Sequence, residues 1–257
     1  MAHTRIISWN VNGIRAGERK GFLGWLAGCG ADMVALQEIK ASEAQLSAEL
    51  RAASGYSACW LSAERPGYSG VATLSRVACP AITRGIGDPR YDREGRALIS
   101  RFPAFTLFNV YVPSGTTGRE RVAYKLAFTA ALRDAVRAEL AAGRSLVLVG
   151  DLNTAHQALD LARPRENRQT SGFMPEERAA FSELLELGLV DSFRHLHPEL
   201  VKYSWWTMRA GARERNVGWR LDYILVSADL APRLVAAETH PEITGSDHCP
   251  VSVVLAL

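Results

Sequence analysis

Four groups of polar residues follow or precede short apolar runs, at positions where strands would end. In chain order they are Asn10 with Asn12, Glu38, Asp151 with Asn153, and Asp247 with His248. Any one of them alone is typical of a turn or a solvated strand end. Together they supply carboxylate, amide and imidazole groups, and no Cys or His pair has the spacing of a zinc site. Such oxygen-rich sets favour Mg²⁺ or Mn²⁺, so the pattern indicates metal-assisted chemistry.

The elements that would position these groups are mostly short strands rich in β-branched and aromatic residues. Strands are predicted over residues 5–9, 33–37, 56–61, 70–75, 96–101, 106–112, 145–150, 203–207, 221–226 and 250–255. Capping residues and apolar spacing predict helices over 42–53, 119–142 and 176–187. So many strands exceed what one open sheet carries easily. We expect an α/β fold, a four-layered sandwich of two packed, mostly antiparallel or mixed sheets flanked by helices.

The composition is that of a globular protein, with 47% hydrophobic and 22% charged residues in 257. No repeat or linker divides the chain, so we expect one domain over residues 1–257. No apolar run approaches ~18 residues, and the first residues do not resemble a signal peptide. We therefore expect a cytoplasmic protein without membrane contact, nucleoid-associated if bacterial. Cys29, Cys59, Cys79 and Cys249 are interpreted as reduced, buried thiols.

Eight segments, in order and spread over nearly the whole chain, resemble one enzyme family. They are SWNVNGIR (8–15), ALQEIK (35–40), DREGR (92–96), NVYVPSG (109–115), VGDLNTAH (149–156), SGFMPEER (171–178), NVGWRLDY (216–223) and GSDHCPV (245–251). The chain resembles the exonuclease III and apurinic–apyrimidinic endonuclease family, within the endonuclease–exonuclease–phosphatase superfamily. GDLN and SDHCPV are typical of the superfamily, whereas NVGWRLDY together with GFMPEER is far more specific to the DNA-repair branch.

The resemblance implies a metal-dependent phosphodiesterase with Mg²⁺, or Mn²⁺, as its cofactor. Glu38 would be the principal metal ligand, assisted by Asn10 and Asp247 through water. Asp151 would activate or position the attacking water. Between Asp151 and His248, the residue that takes the proton of that water is left open, with Asp151 favoured.

The resemblance also implies the groups that hold the phosphate. Asn153 and His248 would bind its oxygens, and Tyr111 would donate its hydroxyl to it. Asp222 would pair with His248 and fix the tautomer of its ring.

Three positions depart from the pattern of the family. Asn12 stands where some relatives have Asp, which removes a carboxylate and favours a single-metal site. Ser114 replaces an amide residue near the phosphate and has a shorter reach. Arg209 stands where some relatives insert an apolar side chain into the minor groove, and an Arg unstacks bases less well.

The composition of segment 202–220 favours nucleic acid over other phosphodiester substrates, because basic and aromatic residues are interspersed in it. Those residues are Lys202, Arg209, Arg213, Arg215 and Arg220, with Trp205, Trp206 and Trp219. The resemblance implies that Trp205, Trp219 and Leu221 line a pocket for a flipped-out sugar that lacks its base. Further candidates for DNA contact are Lys40, Arg96, Ser114, Asn216, Arg163, Arg165 and Arg168.

The predicted function is a DNA repair nuclease that hydrolyses the phosphodiester 5′ to an abasic site in duplex DNA, with 3′→5′ exonuclease and 3′-end-cleaning activity. The alternatives are a nonspecific metal-dependent DNA or RNA nuclease of the same superfamily, or a catalytically weak DNA-binding relative. The Trp205–Trp219–Leu221 pocket argues against the first, and the complete catalytic set argues against the second. The expected partner is duplex DNA with abasic sites or blocked 3′ ends, and the expected state is a monomer.

Overall fold

Two β-sheets packed face to face form the centre of the computed structural model, which describes residues 2–78 and 81–257. The first sheet has the order β11-β12-β1-β2-β4-β3. Its strands are β1 (His3–Asn10), β2 (Met33–Gln37), β3 (Ser57–Leu61), β4 (Val71–Ser75), β11 (Leu234–Thr239) and β12 (Val251–Ala256). The second sheet has the order β5-β6-β7-β8-β10-β9. Its strands are β5 (Ala81–Arg84), β6 (Ala97–Arg101), β7 (Thr106–Tyr111), β8 (Leu146–Asp151), β9 (Leu189–Asp191) and β10 (Asp222–Ser227).

Helices cover the outer faces of both sheets and complete the four layers that the sequence predicts. They are α1 (Ile14–Arg19), α2 (Phe22–Gly28), α3 (Ala48–Ala52), α4 (Pro89–Asp92), α5 (Arg119–Ala141) and α6 (Pro175–Leu185). The short helix α7 (Ser192–Leu196) instead contacts β10 of the second sheet and β11 of the first. Phe22 and Leu26 of α2 pack on Trp9 of β1, while Phe128 of α5 and Phe181 of α6 pack on the second sheet. No helix in the described part of the chain has the length and apolarity needed to cross a bilayer.

The alternation of side chains along each strand decides which residues lie between the sheets. Ile6 of β1 and Val147 and Val149 of β8 belong to the apolar cluster between them. Side chains two residues apart in a strand point to the same face. Asn10 lies four residues after Ile6 and Asp151 lies two residues after Val149, so both side chains point into the layer between the sheets. The apolar layer therefore ends in polar groups where the strands end.

The register of the second sheet aligns three of these terminal residues. Tyr111 at the end of β7 pairs with Asp151 at the end of the parallel strand β8. Asp151 in turn pairs with Asp222 at the start of the antiparallel strand β10. Residues directly opposite each other in neighbouring strands present their side chains to the same face. The three side chains consequently form one row across the inner face.

Two predicted elements differ in the structure. The predicted strand 203–207 is wrong: Trp205 makes only isolated bridges, to Trp219 and His248, because this segment crosses between the strand ends instead of joining a sheet. The predicted helix 42–53 divides into a 3₁₀ turn at Glu43–Gln45 and α3. The division follows from Ser47, whose hydroxyl accepts the Leu50 N–H at 3.0 Å and so begins a new helix.

Short elements with weak apolar periodicity were not predicted. They include the edge strands β5, β9 and β11 and the helices α1, α2, α4 and α7. Of the four cysteines, Cys59 and Cys249 are buried and Cys29 is half-buried, while Cys79 lies outside the described residues. The two burials agree with the interpretation of these thiols as core residues.

Gly150 makes the close approach of β8 to β7 possible, directly before Asp151. Its φ is +142°, and a Cβ there would lie 1.8 Å from the carbonyl oxygen of Val110. We expect Gly150→Ala to lower the free energy of unfolding by about 2–4 kcal/mol, because backbone strain adds to the clash. Chemical denaturation measures it. Gly24→Ala, in α2 with open space around the Cβ position, is the control and should stabilise by about 0.5–1 kcal/mol. Equal stabilities of the two variants would contradict the role of Gly150.

Candidate active site

Asn10 joins the two sheets at the centre of the site. Its amide Nδ2 donates to Glu38 Oε1 at 3.0 Å and to Asp151 Oδ2 at 2.9 Å. Its Oδ1 accepts the backbone N–H of Asn12 at 3.0 Å. One buried amide therefore holds a carboxylate from each sheet in a fixed relation.

Glu38 follows β2 in a left-handed conformation, with φ of +50°, which turns its side chain back toward Asn10. The ammonium of Lys40 lies 2.7 Å from Glu38 Oε2. Burial would raise the pKa of Glu38, but the charge of Lys40 and the hydrogen bond from Asn10 outweigh it and hold the pKa below its usual value. Glu38 is thus an anion at neutral pH.

Asp151 is a buried carboxylate at the end of β8. Burial raises its pKa most, the charges of Asp222 and Glu38 add to the rise, and His248 opposes it, which leaves the pKa at about 7. The backbone N–H of Asn153 donates to Asp151 Oδ1 at 2.8 Å. A carboxylate that exchanges protons near neutral pH is suited to general base catalysis.

Asp222 and His248 form the buried pair that the resemblance implied. His248 Nδ1 lies 2.7 Å from Asp222 Oδ2, and His248 Nε2 lies 3.8 Å from Asp151 Oδ2. Burial alone would lower the pKa of His248, but the carboxylates of Asp222 and Asp151 raise it to about 10. The imidazole is therefore protonated at neutral pH and is a charged donor.

Tyr111 and Asn153 complete the row that faces these carboxylates. Burial and the nearby charges of Glu38 and Asp151 raise the pKa of Tyr111 well above its usual value, so its hydroxyl keeps its proton. Asn153 Nδ2 donates to the Val112 carbonyl at 2.9 Å and to Asp151 Oδ2 at 3.2 Å. Hydroxyl and amide donors thus lie beside the carboxylate that could act as a base.

Asp247 belongs to a second chain of contacts, at the outer side of the site. Its Oδ1 accepts from Asn12 Nδ2 at 2.9 Å, and its Oδ2 accepts from Trp205 Nε1 at 3.0 Å. Lys40 also donates to Asn12 Oδ1. From the sequence, Asn12 was notable only because it lacks a carboxylate. In the structure its side-chain amide links Lys40 to Asp247 through two hydrogen bonds.

Comparison with known proteins places this arrangement in a family. The model of the Endonuclease/Exonuclease/phosphatase family matches residues 7–248. The chain belongs to this family. An exodeoxyribonuclease of Bacillus subtilis is 42% identical over 253 residues, which cover 98% of this chain and 99% of that protein. The DNA repair nuclease APEX1 of Danio rerio is 42% identical over 259 residues, which cover 100% of this chain and 83% of that protein.

Solved structures of the family share the whole fold. A 3′ phosphatase from Neisseria, bound to a product DNA hairpin, superposes with a TM-score of 0.92 at 30% identity, covering 99% of this chain and 100% of that chain. An AP endonuclease from Archaeoglobus fulgidus gives a TM-score of 0.90 at 27% identity over 99% of this chain and 100% of that chain. The resemblance to the exonuclease III and AP endonuclease group is confirmed, as are the four-layered fold and the prediction of a hydrolytic nuclease.

Enzymes of this family use a divalent metal ion, and the donors near Glu38 fit a hard cation. Glu38 is ionised and its side chain is 16% exposed. The ammonium of Lys40 contacts its carboxylate, so this position already binds a positively charged group. Ligand atoms of Asp151, Asp222 and His248 also lie within 4.8 Å of one another. In that second set, however, the Nδ1 of the imidazole is hydrogen-bonded to Asp222. The carboxylate oxygens of Glu38 are therefore better suited to hold a hard divalent cation than this second set is.

Two of the predicted pocket residues, Trp205 and Trp219, are neighbours beside this site. Trp205 and Trp219 bridge through their backbones, and the Trp205 ring lies 6.4 Å from the His248 ring, between centroids. Leu221 follows and is buried. Phe173 packs in the same apolar cluster as Trp219. Phe173 was not predicted as a site residue, although the SGFMPEER motif that contains it was the available signal.

Three arginines proposed or counted as DNA-facing are engaged inside the protein. Arg96 is 1% exposed and donates to the Tyr111 carbonyl at 3.1 Å, so it supports Tyr111 instead of contacting DNA. Arg220 is equally buried, and its guanidinium binds Asp160 and Asp191. Arg213 donates to three backbone carbonyls of the 241–246 loop, which leads to Asp247. A cation count along a sequence cannot separate such internal ligands from surface charges.

The remaining candidates lie on the surface around the site. Arg209 and Asn216 are exposed in the turn-rich segment after Trp206, and Asn216 Oδ1 accepts from Trp206 Nε1 at 3.2 Å. Ser114 lies beyond Tyr111 and is hydrogen-bonded to Thr116 Oγ1 at 3.1 Å. Arg163, Arg165 and Arg168 are exposed in the 163–170 loop. Because these residues lie around the site, they can contact only parts of a substrate that extend beyond the buried row of Tyr111, Asp151 and Asp222.

Asp222 and His248 should act as one unit in this nuclease. We expect Asp222→Asn and His248→Asn each to cost about 1–4 kcal/mol of transition-state stabilisation, the range for losing one preorganised donor. The double variant should cost little more than the worse single one, because residues of one hydrogen-bonded unit are not additive. The measurement is kcat/KM across the four proteins, with folding checked by circular dichroism. Additive losses would show that the two residues work separately.

Proposed function

We propose that this chain is a DNA repair nuclease that hydrolyses the phosphodiester 5′ to an abasic site in duplex DNA. We include 3′→5′ exonuclease and 3′-end-cleaning activity in the proposal. The observation that carries it is the contact between Asp151, which is suited to act as a base, and the protonated His248: Asp151 Oδ2 lies 3.8 Å from His248 Nε2. The aromatic residues Trp205 and Trp219 lie beside this pair. The names of the relatives, an exodeoxyribonuclease and a DNA repair nuclease, agree with it.

In this proposal Glu38 is the principal ligand of a single Mg²⁺, for which Mn²⁺ can substitute. Asn10 and Asp247 assist through water, since the Asn10 amide nitrogen and both Asp247 oxygens already have protein partners. A divalent cation at this position supplies positive charge that offsets the charge developing on the phosphate. The ammonium of Lys40 contacts Glu38 Oε2 in this structure, so it would have to move away when a metal ion binds Glu38.

The reaction follows from the protonation states of the side chains. Asp151 accepts a proton from water, whose oxygen attacks phosphorus as the bond from phosphorus to the leaving oxygen breaks. The leaving oxygen takes up a proton from solvent and departs as a hydroxyl group. His248 and Tyr111 donate hydrogen bonds to the phosphate oxygens, where negative charge accumulates in the transition state. Asn153 adds a third donor when its amide releases the Val112 carbonyl or Asp151. Asp222 keeps the imidazole charged and oriented. The protonation states favour Asp151 as the base, because the carboxylates of Asp222 and Asp151 keep His248 protonated at neutral pH.

Substrate selection is assigned to the pocket of Trp205, Trp219 and Leu221. A sugar without its base is compact and costs little to flip out of the duplex. Half-buried indole rings can enclose such a sugar while they exclude an intact nucleotide. Arg209, with Lys40 and the exposed arginines of the 163–170 loop, would contact the backbone of the strand.

The proposed partner is duplex DNA with abasic sites or blocked 3′ ends. The Neisseria 3′ phosphatase, determined with a product DNA hairpin, supports a DNA substrate for this fold. A monomeric state and a cytoplasmic location stay predictions.

A direct comparison of substrates tests the proposal. Two matched duplexes, one carrying an abasic-site analogue and one intact, are incubated with the protein in Mg²⁺ and then in EDTA. We expect the abasic strand to be incised much faster than the intact strand in Mg²⁺, and neither strand to be incised in EDTA. Equal incision of both duplexes would instead favour a nonspecific nuclease, and binding without incision would favour a catalytically weak relative.

Glu38 should control metal dependence. We expect Glu38→Ala to raise the Mg²⁺ concentration for half-activity and to lower turnover by about 10²-fold or more. The measurement is a Mg²⁺ titration of the rate of abasic-site incision. Glu43→Gln, an exposed acid in the same segment, is the control and should titrate as the unmodified protein does. Near-normal turnover of Glu38→Ala at millimolar Mg²⁺ would contradict the assignment of Glu38 as the principal metal ligand.

Trp219 should control substrate choice. We expect Trp219→Ala to reduce the ratio of kcat/KM for abasic over intact duplex, with a smaller effect on general DNA binding. Steady-state rates on the two duplexes and a binding isotherm on intact duplex measure this. Trp60→Phe, on β3 at the edge of the first sheet, should leave the ratio unchanged. The pocket is misassigned if Trp219→Ala lowers kcat/KM equally for both substrates.

A further inference from the structure

A buried ion pair that the proposed chemistry does not use lies directly behind the site. Lys125 of α5 and Glu177 of α6 have 2% and 0% of their side chains exposed, and their Nζ and Oε1 atoms are 2.6 Å apart. A buried ion pair often stabilises a fold no better than apolar residues of the same volume. The two helices already pack through Phe128 and Phe181. The other partners of Lys125 and Glu177 are therefore informative.

The second partner of Lys125 is the turn that carries Asn153. The ammonium donates to the Asn153 carbonyl at 2.6 Å. Asn153 has φ of +48°, a left-handed conformation that costs free energy for a residue with a side chain and persists only when its surroundings enforce it. The same residue donates from its backbone to Asp151 at 2.8 Å. A charged hydrogen bond on its carbonyl fixes the orientation of this turn.

The other partners of Glu177 belong to the 171–174 loop. Its Oε2 accepts the backbone N–H groups of Gly172 at 2.6 Å and Met174 at 3.1 Å. Its Oε1 also accepts the Ser171 hydroxyl at 2.9 Å. One carboxylate therefore accepts three hydrogen bonds from the loop, in addition to the one from the ammonium.

The 171–174 loop touches both halves of the proposed site. A Cβ added at Gly172, whose φ is +98°, would lie 3.2 Å from Cζ3 of Trp219 and 3.3 Å from the Asn153 carbonyl oxygen. The Gly172 carbonyl accepts the Ala155 N–H at 2.7 Å. The loop is thus the back wall of Trp219 and the neighbour of the Asn153 turn, and Glu177 fixes its position.

We propose that Lys125 and Glu177 form a clamp that holds the phosphate-binding turn at Asn153 and the loop behind Trp219 at a fixed separation. Both are positioning residues, because they are buried and touch neither phosphate nor sugar. The inference rests on the proposed function and adds to it the means by which the reacting phosphate and the selected sugar stay in register. Lys125 acts mainly through Asn153, and Glu177 acts mainly through the loop and Trp219.

Different kinetic parameters report the two ends of the clamp. Lys125→Met removes the donor to Asn153, and we expect kcat to fall about 10–100-fold with KM changed less than about 3-fold, since a misplaced group costs transition-state stabilisation. Lys125→Arg, which keeps a charged donor, should recover most of the loss. Glu177→Gln offers an NH₂ group to backbone donors, and we expect the abasic-to-intact ratio of kcat/KM to fall about 5–10-fold as Trp219 loses its backing.

A matched control separates positioning from general stability. Glu139→Gln alters another ion pair of α5, in which Glu139 Oε1 lies 2.5 Å from Arg101, away from the site. It should lower the melting temperature without changing kcat or the substrate ratio. All assays run well below the melting temperature of each variant, which circular dichroism establishes.

The clamp is overturned if folded Lys125→Met keeps its kcat, or if Glu139→Gln causes the same kinetic changes. If Lys125→Met does not fold, Ser171→Ala decides, because it removes only one donor to Glu177: a reduced substrate ratio supports the clamp, and an unchanged ratio overturns it. Failure of the proposed function is a separate result, in which the unmodified protein itself shows no preference for abasic duplex. The kcat of Lys125→Met relative to Lys125→Arg on intact duplex then still tests the Asn153 end.

Discussion

The buried carboxylate of Asp151, at the junction of the two sheets, is the constraint on which the rest of the site depends. An uncompensated charge in this position would be costly. The protein distributes that cost over hydrogen bonds from Asn10 and Asn153 and over the protonated ring of His248. The compensation is incomplete, so the pKa of Asp151 rises to about 7. The same burial that makes the charged group costly therefore gives it a pKa suited to the base that we propose.

A second polar network fixes how the sheets face each other one layer below the site. Gln37 of β2 donates to Asn109 Oδ1 of β7 at 2.8 Å, and the Asn109 amide donates to the Ala72 carbonyl of β4 at 2.8 Å. Apolar side chains could slide past each other with little change in free energy, whereas directional hydrogen bonds in a buried layer cannot. This network explains how strand ends from separate sheets meet with the accuracy that catalysis needs.

Positive charge in this protein serves two purposes, and burial separates them. Arg96 and Arg220 satisfy carbonyls and carboxylates inside the fold, and their guanidinium groups brace the strands that carry Tyr111 and Asp222. Arg209 and the exposed arginines of the 163–170 loop remain at the surface. A modest net charge of +3 is thus compatible with DNA binding, because the cations at the surface matter more than the total.

The sequence by itself determined the layered fold and proposed the members of the site, because alternation along a strand decides which face a residue occupies. Asn10 and Asp151 were predictable in this way, whereas Asp222 was implied only by the resemblance of its RLDY motif to the family. Only the tertiary structure decided the partners. It joined Asn10 to Asp151, buried Arg96, kept residues 203–207 out of the sheets and set Lys125 behind Asn153. Contacts between residues far apart in the chain depend on how the sheets and helices pack, and local periodicity carries no information about that packing.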